Sequence, residues 1–145
     1  MSKATRLTST ISSDSKVHLN VEDFEVPSPG PDEVLIAVQA APINPSDLGL
    51  LLAGADVSTA SPTQSGLVLS LSDSAMAGVT GRLGQALPVG NEGAGIVISA
   101  GADEDAQALL GQVVAVLAGG MYATHRIVKA RDCLVLEEGT EPLDA

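Results

Sequence analysis

Hydrophobic and polar residues alternate along much of the chain, in short stretches that are separated by glycines and prolines. These stretches are rich in β-branched residues, which is typical of half-buried strands. The pattern predicts strands in RLTSTIS, KVHLNVEDFEV, EVLIAVQAA, GAGIVISAG, QVVAVLAGG, MYATHRIVK and DCLVLEE. Many short strands with glycine and proline turns and little helix favour a barrel or a sandwich over a sheet built from βαβ units.

Helical patterns are few and short. One is predicted for Pro45–Leu52, because Asn44 is suited to cap it and Pro45 suits its first position. A second is predicted in DEDAQALLG, where the acidic run Asp103 to Asp105 forms a solvated first turn and Gly111 ends the helix. The tail GTEPLDA resembles the beginning of a further helix.

Residues 53–88 have a different character. They are rich in Ser, Thr, Gly and Ala and show no sustained period. The pattern predicts one short strand in GLVLSLSD and a long loop or insertion for most of the rest. Loops of this length are uncommon in compact domains and are often functional or mobile. A tolerated surface excursion is the simpler interpretation.

The composition argues against two classes of partner. Phe24 and Tyr122 are the only aromatic residues, and the formal net charge is -11, so a nucleic acid would find neither stacking platforms nor a cationic surface. No segment approaches the roughly 20 apolar residues that a membrane span needs, and the N-terminus has no apolar leader pattern. We therefore expect a soluble, cytoplasmic protein that binds neither nucleic acid nor membrane.

Residues able to hold a metal or to act as a nucleophile are scarce. Cys133 is the only cysteine, which excludes an internal disulfide and a thiolate zinc cluster, and we interpret it as a small buried hydrophobic residue. His18 and His125 fall in two different predicted strands, without a carboxylate or cysteine at ligand spacing. No GxSxG elbow accompanies the many serines. The sequence predicts no zinc.

A glycine-rich segment, GNEGAG, invites comparison with a phosphate-binding loop. A dinucleotide fingerprint needs GxGxxG after a strand and at the start of a helix. Here Gly93 and Gly95 are followed by Ile98, and the segment precedes a predicted strand. We therefore predict a tight turn and a bulge at which two backbones approach closely.

Several separated segments agree, in order, with one known domain. PSPGPDEVLIAVQAAPINPSDLGLL, LPVGNEGAGIVISAG, GQVVAVLAGGMYATHRIVKARDCLVLEEG and EPLDA resemble the N-terminal GroES-like domain of the medium-chain dehydrogenase/reductase superfamily, in its zinc-independent quinone oxidoreductase-like branch. The resemblance implies a mainly β fold, a GroES-like partly open β-barrel with a few short helices. Residues 1–145 would form one substrate-side domain, with a loop-like insertion at about 53–88.

The resemblance also implies where the reaction site lies. Zinc alcohol dehydrogenases of this superfamily carry a cysteine ligand in the first turn and a histidine ligand in the second. Asn44 and Asn91 stand at those positions here, which implies a metal-free member. Ser46 matches the hydroxyl residue that relays the substrate proton. Asp47 and Glu92 match the acidic neighbours, as pocket or supporting residues.

A metal-free site suits a conjugated substrate. A simple ketone needs a Lewis acid to polarise its carbonyl, whereas a quinone or an enone spreads the charge that develops when it accepts a hydride. Asn44, Ser46 or Asn91 could donate hydrogen bonds to that oxygen. In the family the first-turn asparagine lies close to the nicotinamide, so Asn44 is also the expected cofactor-facing residue. The alternative is that these side chains only cap a helix and stabilise turns.

Family members continue into a Rossmann domain that binds NADPH, and this sequence contains no such domain. An excised domain and a naturally short protein both fit, and the ending within a helix pattern favours excision. The resemblance implies NADPH use by a full-length oxidoreductase acting on a small-molecule quinone or enone. It also allows a homodimer of that protein and an inactive isolated domain. A stand-alone, non-catalytic GroES-like binding or assembly module is the alternative.

Overall fold

A computed structural model describes residues 3–145 and confirms the mainly β prediction. Strand accounts for 46% of the chain and helix for 20%, in short segments. The strands form two antiparallel five-stranded sheets, and neither closes into a barrel within the described residues. The first sheet contains β1 (Lys3–Ser12), β2 (Lys16–Glu25), β4 (Asp56–Pro62), β5 (Gly66–Ser70) and β6 (Leu87–Pro88). The second contains β3 (Glu33–Ala40), β7 (Glu92–Ala100), β8 (Val113–Leu117), β9 (His125–Lys129) and β10 (Cys133–Val135).

The strand order is β4-β5-β2-β1-β6 in the first sheet and β10-β8-β7-β3-β9 in the second. Three α-helices and three 3-10 helices connect the strands. The α-helices are α1 (Pro45–Leu52), α2 (Asp73–Val79) and α3 (Glu104–Ala108). The 3-10 helices span Thr80–Arg82, Ala130–Asp132 and Pro142–Asp144. In residues 3–145 no helix has the length and apolar character needed to cross a bilayer.

The predicted helices occur with small changes in length. The helix α1 has Asn44 as its N-cap and Pro45 in its first turn, as predicted. The helix α3 has Asp103 as its N-cap and ends at Ala108, three residues before Gly111, which adopts a left-handed conformation. The C-terminal helix pattern forms only one 3-10 turn.

The chain divides into two compact units. Unit 1 comprises residues 3–6, Asp23–Pro42 and Gly90–Ala145, and unit 2 comprises Leu7–Glu22 and Ile43–Val89. The long strands β1 and β2 contribute residues to both units. Each unit has its own hydrophobic cluster.

The core of unit 1 comes from the inward-facing residues of the second sheet. Aliphatic side chains from β3, β7 and β8 alternate with residues of the other face, as the period-2 pattern requires. The cluster is completed by Met121 before β9 and by Ala106 of α3. Its strand members are Val34, Ile36, Val97, Val114, Val116 and Val128.

In unit 1 the backbones of β3 and β7 approach closely at the glycine-rich segment. The pairing of β3 with β7 shifts register twice, between Leu35 and Ile36 and between Val38 and Ala40. A Cβ atom added at Gly93 would lie 2.8 Å from the Ala40 carbonyl oxygen. The prediction of a bulge with closely approaching backbones is confirmed.

The core of unit 2 joins strands to two helices. Buried aliphatic residues of β1, β2 and β5 pack with side chains of α1 and α2. The buried members are Ile11, Val17, Leu19, Ala53, Leu69 and Leu71. Partly buried Leu51, Leu52, Ala75 and Met76 pack against them. The last turn of α1 therefore packs in this core, and this packing fixes the position of the first turn of the same helix.

The prediction that residues 53–88 are mostly loop is wrong. Besides the predicted strand β5, this segment forms β4, α2, a 3-10 helix and β6. All seven residues of β4 are exposed, so the strand has no hydrophobic face to reveal it. The helix α2 begins at the Ser72 cap, whose hydroxyl oxygen accepts a 3.2 Å hydrogen bond from the Ala75 N–H. Backbone pairing and capping organise this segment in place of a strong apolar pattern.

Gly49 lies inside α1, and its replacement by alanine is expected to stabilise unit 2. A Cβ atom added there meets no described atom within 4 Å, and the residue has no positive φ. Alanine is about 1 kcal/mol more favourable than glycine inside a helix. Urea unfolding of Gly49→Ala should therefore give a higher midpoint with an unchanged slope. A lower midpoint would contradict this account of α1.

Candidate functional site

The first candidate turn links β3 to α1. Asn44 is extended, with φ -97° and ψ 157°, and the helix starts directly after it. The Asn44 backbone N–H donates a 2.8 Å hydrogen bond to Asp47 Oδ2. The Asn44 carbonyl oxygen accepts a 3.0 Å bond from the Asp47 N–H. Asn44 is thus the N-cap and Asp47 the N3 residue of α1, and the Asp47 carboxylate makes the N3-to-N-cap bond of a capping box.

Burial separates the three candidate residues of this turn. Asp47 is only 1% exposed, although it carries a carboxylate. Ser46 is exposed and Asn44 is half-buried. The buried carboxylate orients the Asn44 backbone, while Ser46 remains accessible from solvent. Asp47 thus has a clear supporting role, and Asn44 and Ser46 are the members of the turn that a ligand could reach.

The second candidate turn leads into β7. Gly90 has φ +101°, a conformation that side chains other than glycine rarely adopt. Asn91 and Glu92 follow, and both are half-buried. Glu92 pairs with Leu117 of β8, so its backbone is held in the second sheet. Gly90 allows the chain to turn sharply, and it presents Asn91 directly before the strand begins.

Tyr122 supports this second turn, and sequence reasoning missed its importance. A Cβ atom added at Gly90 would lie 2.6 Å from the Tyr122 nitrogen and 2.7 Å from its ring. The Tyr122 hydroxyl donates a 2.9 Å hydrogen bond to the Pro42 carbonyl oxygen. The ring therefore packs on Gly90 while its hydroxyl holds the end of the chain that leaves β3. One available signal was that Tyr122 is the only tyrosine of the chain.

A groove of about 590 Å³ lies in unit 1 beside this turn. Its lining is mostly small and apolar, and Glu92 is one of its charged residues. Leu117 and Leu143 line it and are 76% and 83% exposed, which is unusual for leucine. The groove offers an apolar surface on which a flat, apolar group could lie.

The five predicted site residues fall into two groups. Asn44, Ser46 and Asp47 belong to unit 2, where the capping box brings them together. Asn91 and Glu92 belong to unit 1, where they follow each other at the start of β7. The catalytic and binding roles expected of these residues stay predictions.

The described part of the chain has no group of three or more His, Cys, Asp or Glu residues arranged to hold a metal ion. His18 Nε2 lies 3.1 Å from the Ser12 hydroxyl, and His125 Nδ1 lies 3.1 Å from the Thr124 hydroxyl. Both imidazoles thus contact hydroxyl groups.

Cys133 packs against the core of unit 1 and is expected to react slowly. Burial, with a smaller effect of the Asp132 charge, raises the pKa of its thiol to about 11. At pH 8 about 0.1% of such a thiol is ionised, against roughly a quarter of a thiol with the ordinary pKa. Labelling with a disulfide reagent should therefore be slower by a factor on the order of 10² than in the urea-unfolded chain. Equal rates in the two states would contradict the burial of this thiol.

Comparison with known proteins gives a consistent result for the fold. No protein-family model matches the sequence, and no curated protein matches it. A candidate NADPH:quinone reductase from Mesorhizobium loti is 25% identical, with a TM-score of 0.63. The match covers 98% of this chain and 39% of that structure.

Two further solved structures align in the same manner. A quinone oxidoreductase from Pseudomonas syringae is 20% identical, with a TM-score of 0.59, over 96% of this chain and 35% of that one. Etr1p, in a complex with NADP and crotonyl-CoA, is 22% identical, with a TM-score of 0.60, over 94% of this chain and 34% of its own. The chain thus spans little more than a third of the structures that it matches. The resemblance seen in the sequence is confirmed: this chain has the fold of the N-terminal domain of the medium-chain dehydrogenase/reductase superfamily.

Proposed function

We propose that the chain is the substrate-side domain of a zinc-independent, NADPH-dependent reductase that transfers a hydride to a quinone or an enone. The observation that carries the proposal is the match, over nearly the whole chain, to structures described as quinone reductases. Etr1p supports the same class of substrate, since its crotonyl-CoA ligand is an α,β-unsaturated thioester. All of these acceptors conjugate a double bond with a carbonyl group.

The chemistry of the first turn agrees with such an acceptor. When hydride reaches the conjugated carbon, negative charge develops on the carbonyl oxygen, and fixed hydrogen-bond donors stabilise it. Asn44 carries amide N–H groups and Ser46 carries a hydroxyl, which are the donor types that this oxygen needs. A proton from Ser46 or from water then completes the reduction.

Two features of α1 would strengthen donors in this turn. Its N-terminus carries a partial positive charge, which favours negative charge close to Asn44 and Ser46. The capping box with buried Asp47 fixes the Asn44 backbone before any ligand binds. A donor that is already oriented loses little conformational freedom when it meets the developing oxyanion.

Residues of unit 1 would contribute in a different way. The groove beside Glu92 is apolar along most of its lining, which suits a flat conjugated ring. NADPH would supply the hydride, and Asn44 is the residue that we expect to face its nicotinamide. The glycine-rich segment of this chain leads into strand β7, so its backbone pairs with other strands and does not form a helix N-terminus for a pyrophosphate. We therefore expect the cofactor phosphates to be bound outside residues 3–145, and we expect the isolated domain to be inactive.

The substrate class can be tested with matched acceptors. We expect the full-length product of the native reading frame to consume NADPH with a benzoquinone and with 2-cyclohexenone. Cyclohexanone should give no consumption, because it lacks the conjugated double bond. Equal rates with the saturated ketone would contradict the proposal. Residues 1–145 alone serve as the control and should give the background rate.

The native reading frame separates this proposal from the non-catalytic module. A continuation with a strand, a glycine-rich turn and a helix supports the reductase. A stop codon directly after Ala145 would instead support a stand-alone binding or assembly module, and it would contradict the reductase proposal.

A further inference from the structure

Arg82 is an unusual cation in an acidic protein. It ends the 3-10 helix Thr80–Arg82 in unit 2. Lys16, the other cation of this unit, lies 3.7 Å from Asp14. Among the described residues, no carboxylate lies within ion-pair distance of Arg82. The unit holds five carboxylates to choose from: Asp14, Glu22, Asp47, Asp56 and Asp73.

The Arg82 side chain is held by a buried serine. Arg82 Nη2 donates a 3.2 Å hydrogen bond to Ser9 Oγ. Ser9 is fully buried, and its hydroxyl donates a 2.8 Å bond to the Leu51 carbonyl oxygen. The serine is thus fixed by α1 on one side and orients the guanidinium on the other.

One donor of this guanidinium is buried and unsatisfied. Its Nε is buried and has no hydrogen-bond partner within the part of the chain that the structure describes. Burial lowers the pKa of Arg82, since the charged form is partly removed from water. A buried N–H without a partner is costly, and an anion that accepts from it and from a neighbouring Nη–H would remove much of that cost.

The chain on both sides of Arg82 is open to solvent. A Cβ atom added at Gly81 or Gly84 would meet no described atom within 4 Å apart from its neighbours in sequence. Leu83 and Gln85 are exposed as well. Arg82 itself is half-buried within this exposed stretch, and Ser9 holds one Nη of its guanidinium.

We propose that Arg82 is an anion-binding residue of unit 2, which takes the paired oxygens of a carboxylate or a phosphate group. The planar fork of arginine matches both groups, whereas a lysine ammonium does not. Ser9 acts as a positioning residue, because it fixes one Nη and leaves the remaining N–H groups for the ligand. This inference uses contacts within unit 2 alone and does not depend on the proposed reductase activity.

The test is a titration of residues 1–145 with inorganic phosphate and, separately, with acetate, at constant ionic strength set by chloride. We expect the Nε–H signal of Arg82 and the backbone signals of Gly81 and Gly84 to shift and saturate. The anion that saturates at the lower concentration identifies the ligand group as phosphate or carboxylate. Shifts that grow linearly for both anions would overturn the proposal.

Three variants make the titration specific. Arg82→Gln should weaken binding at least tenfold, and Arg82→Lys should weaken it several-fold because the fork is lost. Arg126→Gln is the matched control, since the Arg126 Nε already donates to the Gly119 carbonyl oxygen at 2.8 Å. The Arg126→Gln variant should bind the anion with the same affinity as the unchanged chain. If Arg82→Gln is unfolded by circular dichroism, Arg82→Lys decides, and unchanged binding by that folded variant would overturn the proposal.

Discussion

Replacing Gly95 with alanine is expected to destabilise unit 1 strongly. A Cβ atom at this position would lie 2.1 Å from the Ala37 carbonyl oxygen and 2.9 Å from the Ile36 side chain. Both are parts of β3, which pairs with β7 on one side and with β9 on the other. The clash is with backbone, so β7 must move away from β3 and lose ladder hydrogen bonds.

We expect Gly95→Ala to lower the free energy of unfolding by about 3 kcal/mol or more, and the melting temperature by roughly 10 °C. Thermal melts followed by circular dichroism measure this directly. Gly49→Ala is the matched control, because it adds the same methyl group where space is open. A Gly95→Ala melt equal to that of the unchanged chain would contradict the close approach of β3 and β7.

Replacing Asn44 with serine in the full-length enzyme is expected to lower kcat by a factor on the order of 10² to 10³. Serine keeps a side-chain oxygen that can cap α1, and caps of the two residue types have similar strength. The return bond from the Asn44 N–H to Asp47 uses the backbone and remains in the variant. The substitution therefore removes the amide N–H donors and leaves the helix cap intact.

Two controls separate catalysis from folding in this experiment. Asn20→Ser makes the same change in β2, where the Asn20 side chain accepts a hydrogen bond from Ser65 at 3.0 Å, and it should leave kcat unchanged. The melting temperatures of both variants should stay close to that of the parent protein. Normal kinetics together with unchanged stability in Asn44→Ser would instead support the interpretation of Asn44 as a cap only, because serine keeps that cap.

Much of the fold could be predicted where the sequence carries its own physical signal. Strand β3 has a run of Val, Leu and Ile and is buried over its first half. The helix α1 has a polar cap followed by proline, and its start was predicted to the residue. In both cases one short stretch contains the hydrophobic pattern, the cap or the turn residues that determine its structure.

The sequence was less informative where structure depends on distant partners. Strand β4 pairs with β5 but buries none of its residues, so no pattern marks it. Tyr122 supports the turn at Gly90 and bonds to Pro42, which lies 80 residues away. The candidate residues themselves were found through the resemblance to a family. The Arg82 side chain bonds to Ser9, which lies 73 residues earlier in the sequence, and only the structure shows this contact.

The proposed reductase works without zinc, because the family resemblance aligns Asn44 and Asn91 with two metal ligands. The most direct measurement is NADPH consumption by the full-length protein with a benzoquinone, before and after dialysis against a chelator. We predict equal rates in both conditions and no gain when zinc is added, because hydrogen-bond donors stabilise the reduced acceptor. Activity that disappears with the chelator and returns with zinc would contradict the account.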